Sequence, residues 1–220
     1  MIAEEKHAIL KDGRRVGLHA YKPSDKEELV SMYASLSQDT LKWSMPPYNR
    51  ERIERMTSDL DNRIIVLAFD SRKVVGHLQI SLATNARFRG TGDLFIYLHQ
   101  DFQNAGLGAA LMREGIALAR ARKVHRVELT VVADNHRAIR LYEKVGFQRE
   151  GLKRENYLGE DGRYHDEVEM GILLWFPATF PKRRAGSRVS GSFLRFSSIW
   201  GLKRVADGRI KTRLPSFEGS

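Results

Sequence analysis

Cysteine is absent from the chain. Disulfides, thiolate nucleophiles and cysteine-bearing zinc sites are thereby excluded, and cysteine usage says nothing of the compartment. Long apolar runs are absent too: none approaches the roughly 20 residues that a membrane-spanning helix needs. The opening MIAEEKHAIL has no basic segment leading into an apolar one, so no secretory signal is expected and a cytoplasmic setting is the default. The seven histidines show no metal-ligand spacing, HExxH does not occur, and no serine sits in a nucleophile elbow before a helix. Metal-dependent and serine-hydrolase chemistry are therefore not expected.

What is present is an ordinary globular composition, 42% apolar and 29% charged over 220 residues, long enough for one domain with an appendage. The net charge of +10 is unevenly placed. From Pro181 to Ser220 ten Lys and Arg face two Asp and Glu, a surplus of eight that leaves +2 for the preceding residues. The same stretch is rich in Ser, Gly and Arg and lacks steady periodicity. A boundary is placed near Pro177–Pro181, giving a folded domain over 1–177 and a basic tail over 178–220 that is expected to be flexible.

Within the domain, VGLHAY (Val16–Tyr21) reads as a strand, and Pro23-Ser24-Asp25 opens a helix to about Leu36. A second short helix is expected near Glu51–Leu60, after the break at Pro46-Pro47. IIVLAF (Ile64–Phe69) and VVGHLQISL (Val74–Leu82) form a hairpin around DSRK. LFIYLH (Leu94–His99) has the apolar run of a central strand covered on both faces. VELTVV (Val127–Val132) alternates as a strand. Ala138, Leu141, Tyr142 and Val145 follow the helical spacing, with Gly146 as the stop. The last segment reads as a hairpin turning at EDG. The class is mixed α/β, a partly antiparallel central sheet flanked by helices in the order β-α-α-β-β-β-α-β-α-β-β.

The stretch QNAGLGAAL (Gln103–Leu111) places two glycines where a helix begins. Glycine inside a helix costs about 1 kcal/mol relative to alanine, so Gly106 and Gly108 need a reason. A helix N-terminus whose bare N–H groups approach an anion supplies one. GxxxxGK[ST] is not met, since no Lys-Ser or Lys-Thr follows. GxGxxG fails at its third glycine, where Leu111 stands, and no acidic residue ends the next strand.

The remaining pattern, Gln103-x-x-Gly106-x-Gly108 after a buried strand, is followed one strand later by ADNHRAIRLYEKVGF (Ala133–Phe147). Together they resemble the GNAT superfamily of N-acetyltransferases. The resemblance spans roughly residues 14–176 in element order and is carried by Leu94–Ala110 and Glu128–Phe147. It implies acetyl-CoA as co-substrate and no metal. The pyrophosphate would rest on N–H groups of Gln103, Asn104, Ala105 and Gly106, continuing through Leu107, Gly108 and Ala109 into the helix. The strand carrying Ile96, Tyr97 and Leu98 would splay from Val127–Val132 and pair with the amides of the pantetheine arm. Asn135 would cap its helix or touch that arm, and Tyr142 would protonate the departing thiolate.

A lysine-like amine with a pKa of about 10.4 must lose a proton before it attacks. Some protein-acetylating relatives look to keep a Glu where this chain has Thr130, so Glu128, two residues earlier on that strand face, is the expected base, acting through water. His99 ends the neighbouring strand. The final hairpin resembles the end of relatives that acetylate ribosomal-protein N-termini or small polyamines. Its acidic residues, among them Glu155, Glu160, Asp166 and Glu167, would attract a cationic amine.

The expectation is an acetyl-CoA-dependent N-acetyltransferase in which the amine attacks directly, with a protein N-terminus or lysine favoured over a small polyamine-like amine. The alternative is a non-catalytic CoA-binding module of the same fold. The basic tail, with Phe193, Phe196 and Trp200 among its cations, suits a contact with nucleic acid. No membrane partner is expected, and the oligomeric state is open, a dimer being one option.

Overall fold

A computed structural model describes residues 6–174. The basic tail, its expected nucleic-acid contact and the boundary after residue 177 lie outside the described residues. The strands are β1 (Lys6–Ile9), β2 (Arg15–Ala20), β3 (Arg63–Asp70), β4 (Lys73–Leu82), β5 (Thr91–Leu98), β6 (Arg126–Val132), β7 (Gln148–Leu158) and β8 (Tyr164–Leu173). The helices are α1 (Lys26–Ala34), α2 (Gln38–Leu41), α3 (Arg50–Thr57), α4 (Leu107–Ala121) and α5 (His136–Val145). One sheet runs β1-β2-β3-β4-β5-β6-β8-β7, and each pairing is antiparallel except β5 with β6.

The fold class follows the sequence reading, with two additions. β1 is a short, largely exposed edge strand, and α2 is a single turn whose N-cap Ser37 accepts from the Thr40 N–H at 3.2 Å. α3 stops at Thr57 rather than Leu60, because Ser58 turns extended at ψ 168° and Asp59 then takes a left-handed conformation at φ 53°. Asn49 opens α3 by accepting from the Arg52 N–H at 3.0 Å.

The apolar run of β3 is explained by two layers of cover. Ile64, Val66 and Ala68 join the core beneath α4, with Leu111 and Met112, while Ile65 and Leu67 pack against Leu29, Met32 and Ile53 of α1 and α3. Period-2 alternation therefore sends every residue into one core or the other. Each fully buried Leu or Ile contributes on the order of 2 kcal/mol. β5 departs from that pattern. Leu94 is buried, but Phe95–Leu98 are only half-buried, because this end of the strand borders an opening in the sheet.

Candidate active site

The opening is written in the strand register. β5 and β6 pair from Thr91↔Arg126 to Asp93↔Glu128 and no further. Beyond that rung β5 keeps its bonds to β4, and β6 keeps its bonds to β8 as far as Val132. The facing edges of Leu94–Leu98 and Leu129–Val132 thus lose each other as partners, and their backbone groups require another. A cleft of about 460 Å³ occupies the gap.

At one end of the cleft lies the start of α4. Gly106 caps it at φ +94°, a left-handed conformation that favours glycine. The first bond inside the helix runs from the Ala110 N–H to the Gly106 carbonyl at 3.2 Å, so the N–H groups of Leu107, Gly108 and Ala109 have no partner within the helix. Gly108 has a different reason to be bare. A Cβ there would lie 2.8 Å from Leu141 Cδ2 and 3.3 Å from Leu98 Cδ1, both on cleft-lining residues. The side chains of Ala105 and Leu107 belong to the core and leave only backbone for a ligand.

The Gln103 side chain ties three elements together. Its amide donates to Thr40 Oγ1 (3.1 Å) and to the Leu98 carbonyl (3.3 Å), and its oxygen accepts from Arg137 Nη1 (2.6 Å). The β1–β2 turn braces the same loop: the Lys11 N–H donates to the Ala105 carbonyl at 2.9 Å, and Arg14 donates to the Asp101 carbonyl at 2.8 Å.

Ile96, Tyr97, Leu98, Asn104, Asn135 and Tyr142 also line the cleft. Asn135 Oδ1 accepts from the Ala138 N–H at 3.2 Å and so caps α5. Tyr142 is buried, and burial pushes its hydroxyl pKa up to about 12. Tyr97 lies on the other face of β5 from the α4 core, and its hydroxyl bonds that of Tyr48.

Glu128 does not join this group. It sits at the last bonded rung and is absent from the cleft wall, and Arg126 Nε holds its carboxylate at 2.8 Å. Asp93 opposite it has a raised pKa, first from desolvation and then from the charge of Glu128. His99 turns away from the cleft, its ring nitrogen accepting from the Asp101 N–H at 3.4 Å. The carboxylates on the cleft wall are instead Asp39 and Glu167.

A profile of the acetyltransferase (GNAT) family matches residues 29–147, more than half of the chain. The crystal structure of an acetyltransferase of GNAT family from Streptococcus pneumoniae is 30% identical, with a TM-score of 0.63 over 72% of this chain and 99% of that one. The chain belongs to the acetyltransferase (GNAT) family. Among curated relatives, the L-amino acid N-acetyltransferase AaaT of Escherichia coli is 39% identical over 98 residues, 44% of this chain and 60% of the relative. The [ribosomal protein bS18]-alanine N-acetyltransferase of the same species is 40% identical over 79 residues, 36% of this chain and 53% of the relative. The chain therefore matches little more than half the length of these curated proteins.

On this GNAT frame several cleft residues carry no motif of their own. Trp43 and Ser44, from the segment after α2, form one wall with Tyr157 of β7. Tyr157 fastens that segment by donating to the carbonyls of Ser44 (2.9 Å) and Lys42 (3.2 Å). His165 braces the wall from behind. Its Nδ1 lies 2.6 Å from Asp134 Oδ2 and its Nε2 lies 3.1 Å from Asp161 Oδ1, with the Trp43 ring centred 5.1 Å away and Tyr157 beyond. Only tertiary contact reveals this staple, which ties the β7–β8 turn to the β6–α5 connection.

The two carboxylates, Asp134 before Asp161, raise the His165 pKa. A raised folded-state pKa stabilises the fold below the ordinary histidine value, and that contribution is lost as pH rises through the raised one. His165→Gln should therefore lower the melting temperature most at about pH 6, with the gap to the unsubstituted protein narrowing towards about pH 9. A gap that stays constant across that range would leave His165 with packing against Trp43 alone.

Proposed function

We propose that this chain transfers an acetyl group from acetyl-CoA to an α-amino group. The observation that carries the reading is the parting of β5 and β6 beyond Asp93↔Glu128, with the unpartnered N–H groups of α4 at the end of the gap. The backbone of Gln103–Ala109 suits a pyrophosphate, aided by the helix dipole. The free edge at Ile96, Tyr97 and Leu98 suits the amides of a pantetheine arm. The bound coenzyme supplies a thioester. Tyr142, on the cleft wall and protonated at neutral pH, would donate a hydrogen bond to the departing sulfur, and Asn135 caps the helix that carries it.

The choice of an α-amine rests on proton chemistry. With Thr130 on the cleft wall and Glu128 held outside it by Arg126, the carboxylates left on the wall among the described residues are Asp39 and Glu167. An α-amine with a pKa of about 8 is about one-tenth neutral at pH 7, whereas a lysine amine at about 10.4 is neutral in fewer than about one molecule in a thousand. Water, with Glu167 on the wall, is sufficient to take the proton from the first. Both curated relatives are named for acceptors of this kind, an L-amino acid and an alanine nitrogen.

Thiol release from acetyl-CoA tests the reading, with L-amino acids, an alanine-starting peptide, an N-terminally blocked lysine peptide and spermidine as acceptors. The α-amines should turn over at least about ten-fold faster than the blocked lysine peptide at neutral pH. The reverse ranking would refute the α-amine assignment. Absence of release with every amine would refute catalysis itself.

A further inference from the structure

The cleft wall carries charges of both signs. Asp39 and Glu167 stand on its wall, yet its cations, Lys11, Arg137, Arg140 and Lys144, all belong to the turn and the helix that flank the start of α4. Three of these cations lie on α5 at i, i+3 and i+7, so they share one helix face and span roughly 10 Å. Lys11 and Arg137 are tied to the glycine turn. The Lys11 stem runs beside Gly106, where a Cβ would lie 3.7 Å from Lys11 Cγ, and Arg137 bonds Gln103.

Arg140 and Lys144 have no hydrogen-bond or ion-pair partner among the described residues, although other cations of the domain are engaged. Lys6 pairs with Glu114, Arg50 with Glu27 and Lys153 with Glu169. On α5 itself the one acid, Glu143, points elsewhere and is taken by Arg149 at 2.9 Å. Two uncompensated cations on a cleft wall repel each other and raise the local potential, an arrangement that favours an anion.

The start of α4, with Lys11 and Arg137, already offers enough donors for a pyrophosphate. Arg140 and Lys144 continue the same face beyond it, on the scale of one ribose. Coenzyme A carries a second anionic group at that remove, a phosphomonoester on its ribose 3′ oxygen, close to dianionic at neutral pH. We propose that Arg140 and Lys144 form a site for this 3′-phosphate, so that the protein distinguishes coenzyme A from dephospho-coenzyme A. The inference rests on the reading of the cleft as an acyl-CoA site.

Calorimetry of the full chain with coenzyme A and with dephospho-coenzyme A, at one fixed ionic strength, tests both layers separately. The unsubstituted protein should bind coenzyme A about ten-fold tighter or more. The double variant Arg140→Gln, Lys144→Gln should bring that ratio close to one, lowering affinity for coenzyme A and leaving dephospho-coenzyme A within about two-fold. Retained binding of the dephospho form also reports that the variant is folded. An exchange of the same charge at Arg72→Gln, in the β3–β4 turn, and Lys73→Gln, at the start of β4, should leave the ratio unchanged. Equal affinity for the two coenzymes before substitution would overturn the site, as would a parallel loss of both after it. Binding of neither coenzyme by the unsubstituted protein would overturn the acyl-CoA reading and the site with it.

Discussion

Tyr142→Phe should lower turnover about ten-fold to a thousand-fold and leave coenzyme affinity within about two-fold. The substitution removes one oxygen and keeps the ring, which is buried and packs beside Phe147 at a centroid distance of 6.0 Å. Burial pushes the hydroxyl pKa up to about 12, so the group remains a donor throughout the neutral range. That elevation also bounds the effect. A thiol has a pKa of about 8.5, so the buried phenol is the weaker acid and acts on sulfur through a hydrogen bond more than by complete proton transfer. The loss should therefore fall towards the lower end of the stated span. Deprotonation of Tyr142 should not shape the rate below about pH 10, and any alkaline limb there must come from another group. Steady-state kinetics with calorimetry decides the matter. An undiminished rate would make Tyr142 a core aromatic only, and a loss of coenzyme binding would make it a contact to the arm.

The place of Tyr142 on the cleft wall was legible in the sequence because two independent patterns met there, a helical stripe and a motif position. Glu128 shows where such legibility stops. Strand alternation correctly places Glu128 and Thr130 on one face, since face depends only on parity. It does not say how far along the strand the sheet comes apart. The last rung falls at Asp93↔Glu128, so Thr130 lines the cleft and Glu128 stays outside it, held by Arg126, which also reaches Glu150 Oε1 at 2.8 Å. Partners from β7 and β6 are brought together only by the β8 strand inserted between them.

β1, and with it the hairpin to β2, was missed for a related reason. KHAI is four residues long, polar in half its positions and mostly exposed, so it carries no period to read. Its turn nonetheless delivers Lys11 to the glycine loop. The α5 cations Arg137, Arg140 and Lys144 have helical spacing in the sequence, yet they drew no reading from it. What the sequence withheld was the cleft beside them.

Gly108→Val should weaken coenzyme binding more than about ten-fold and also destabilise the fold by about 1–3 kcal/mol. The two losses have one origin. A Cβ at residue 108 points between Leu98 of β5 and Leu141 of α5, so a branched side chain would enter the floor of the cleft and press α5 away from α4. Gly108→Ala separates the contributions. Its single methyl meets Leu141 Cδ2, the end of a side chain that can swing aside, and alanine in a helix gains about 1 kcal/mol over glycine. Alanine should thus leave stability within about 1 kcal/mol and still weaken coenzyme binding measurably, because the displaced Leu141 lines the same cleft. Denaturant unfolding and calorimetry on both variants provide the comparison. If valine lowers stability while both variants bind the coenzyme as the unsubstituted protein does, Gly108 serves the contact between α4 and α5 alone. If alanine already costs binding at constant stability, the bare backbone at this turn is there for the ligand.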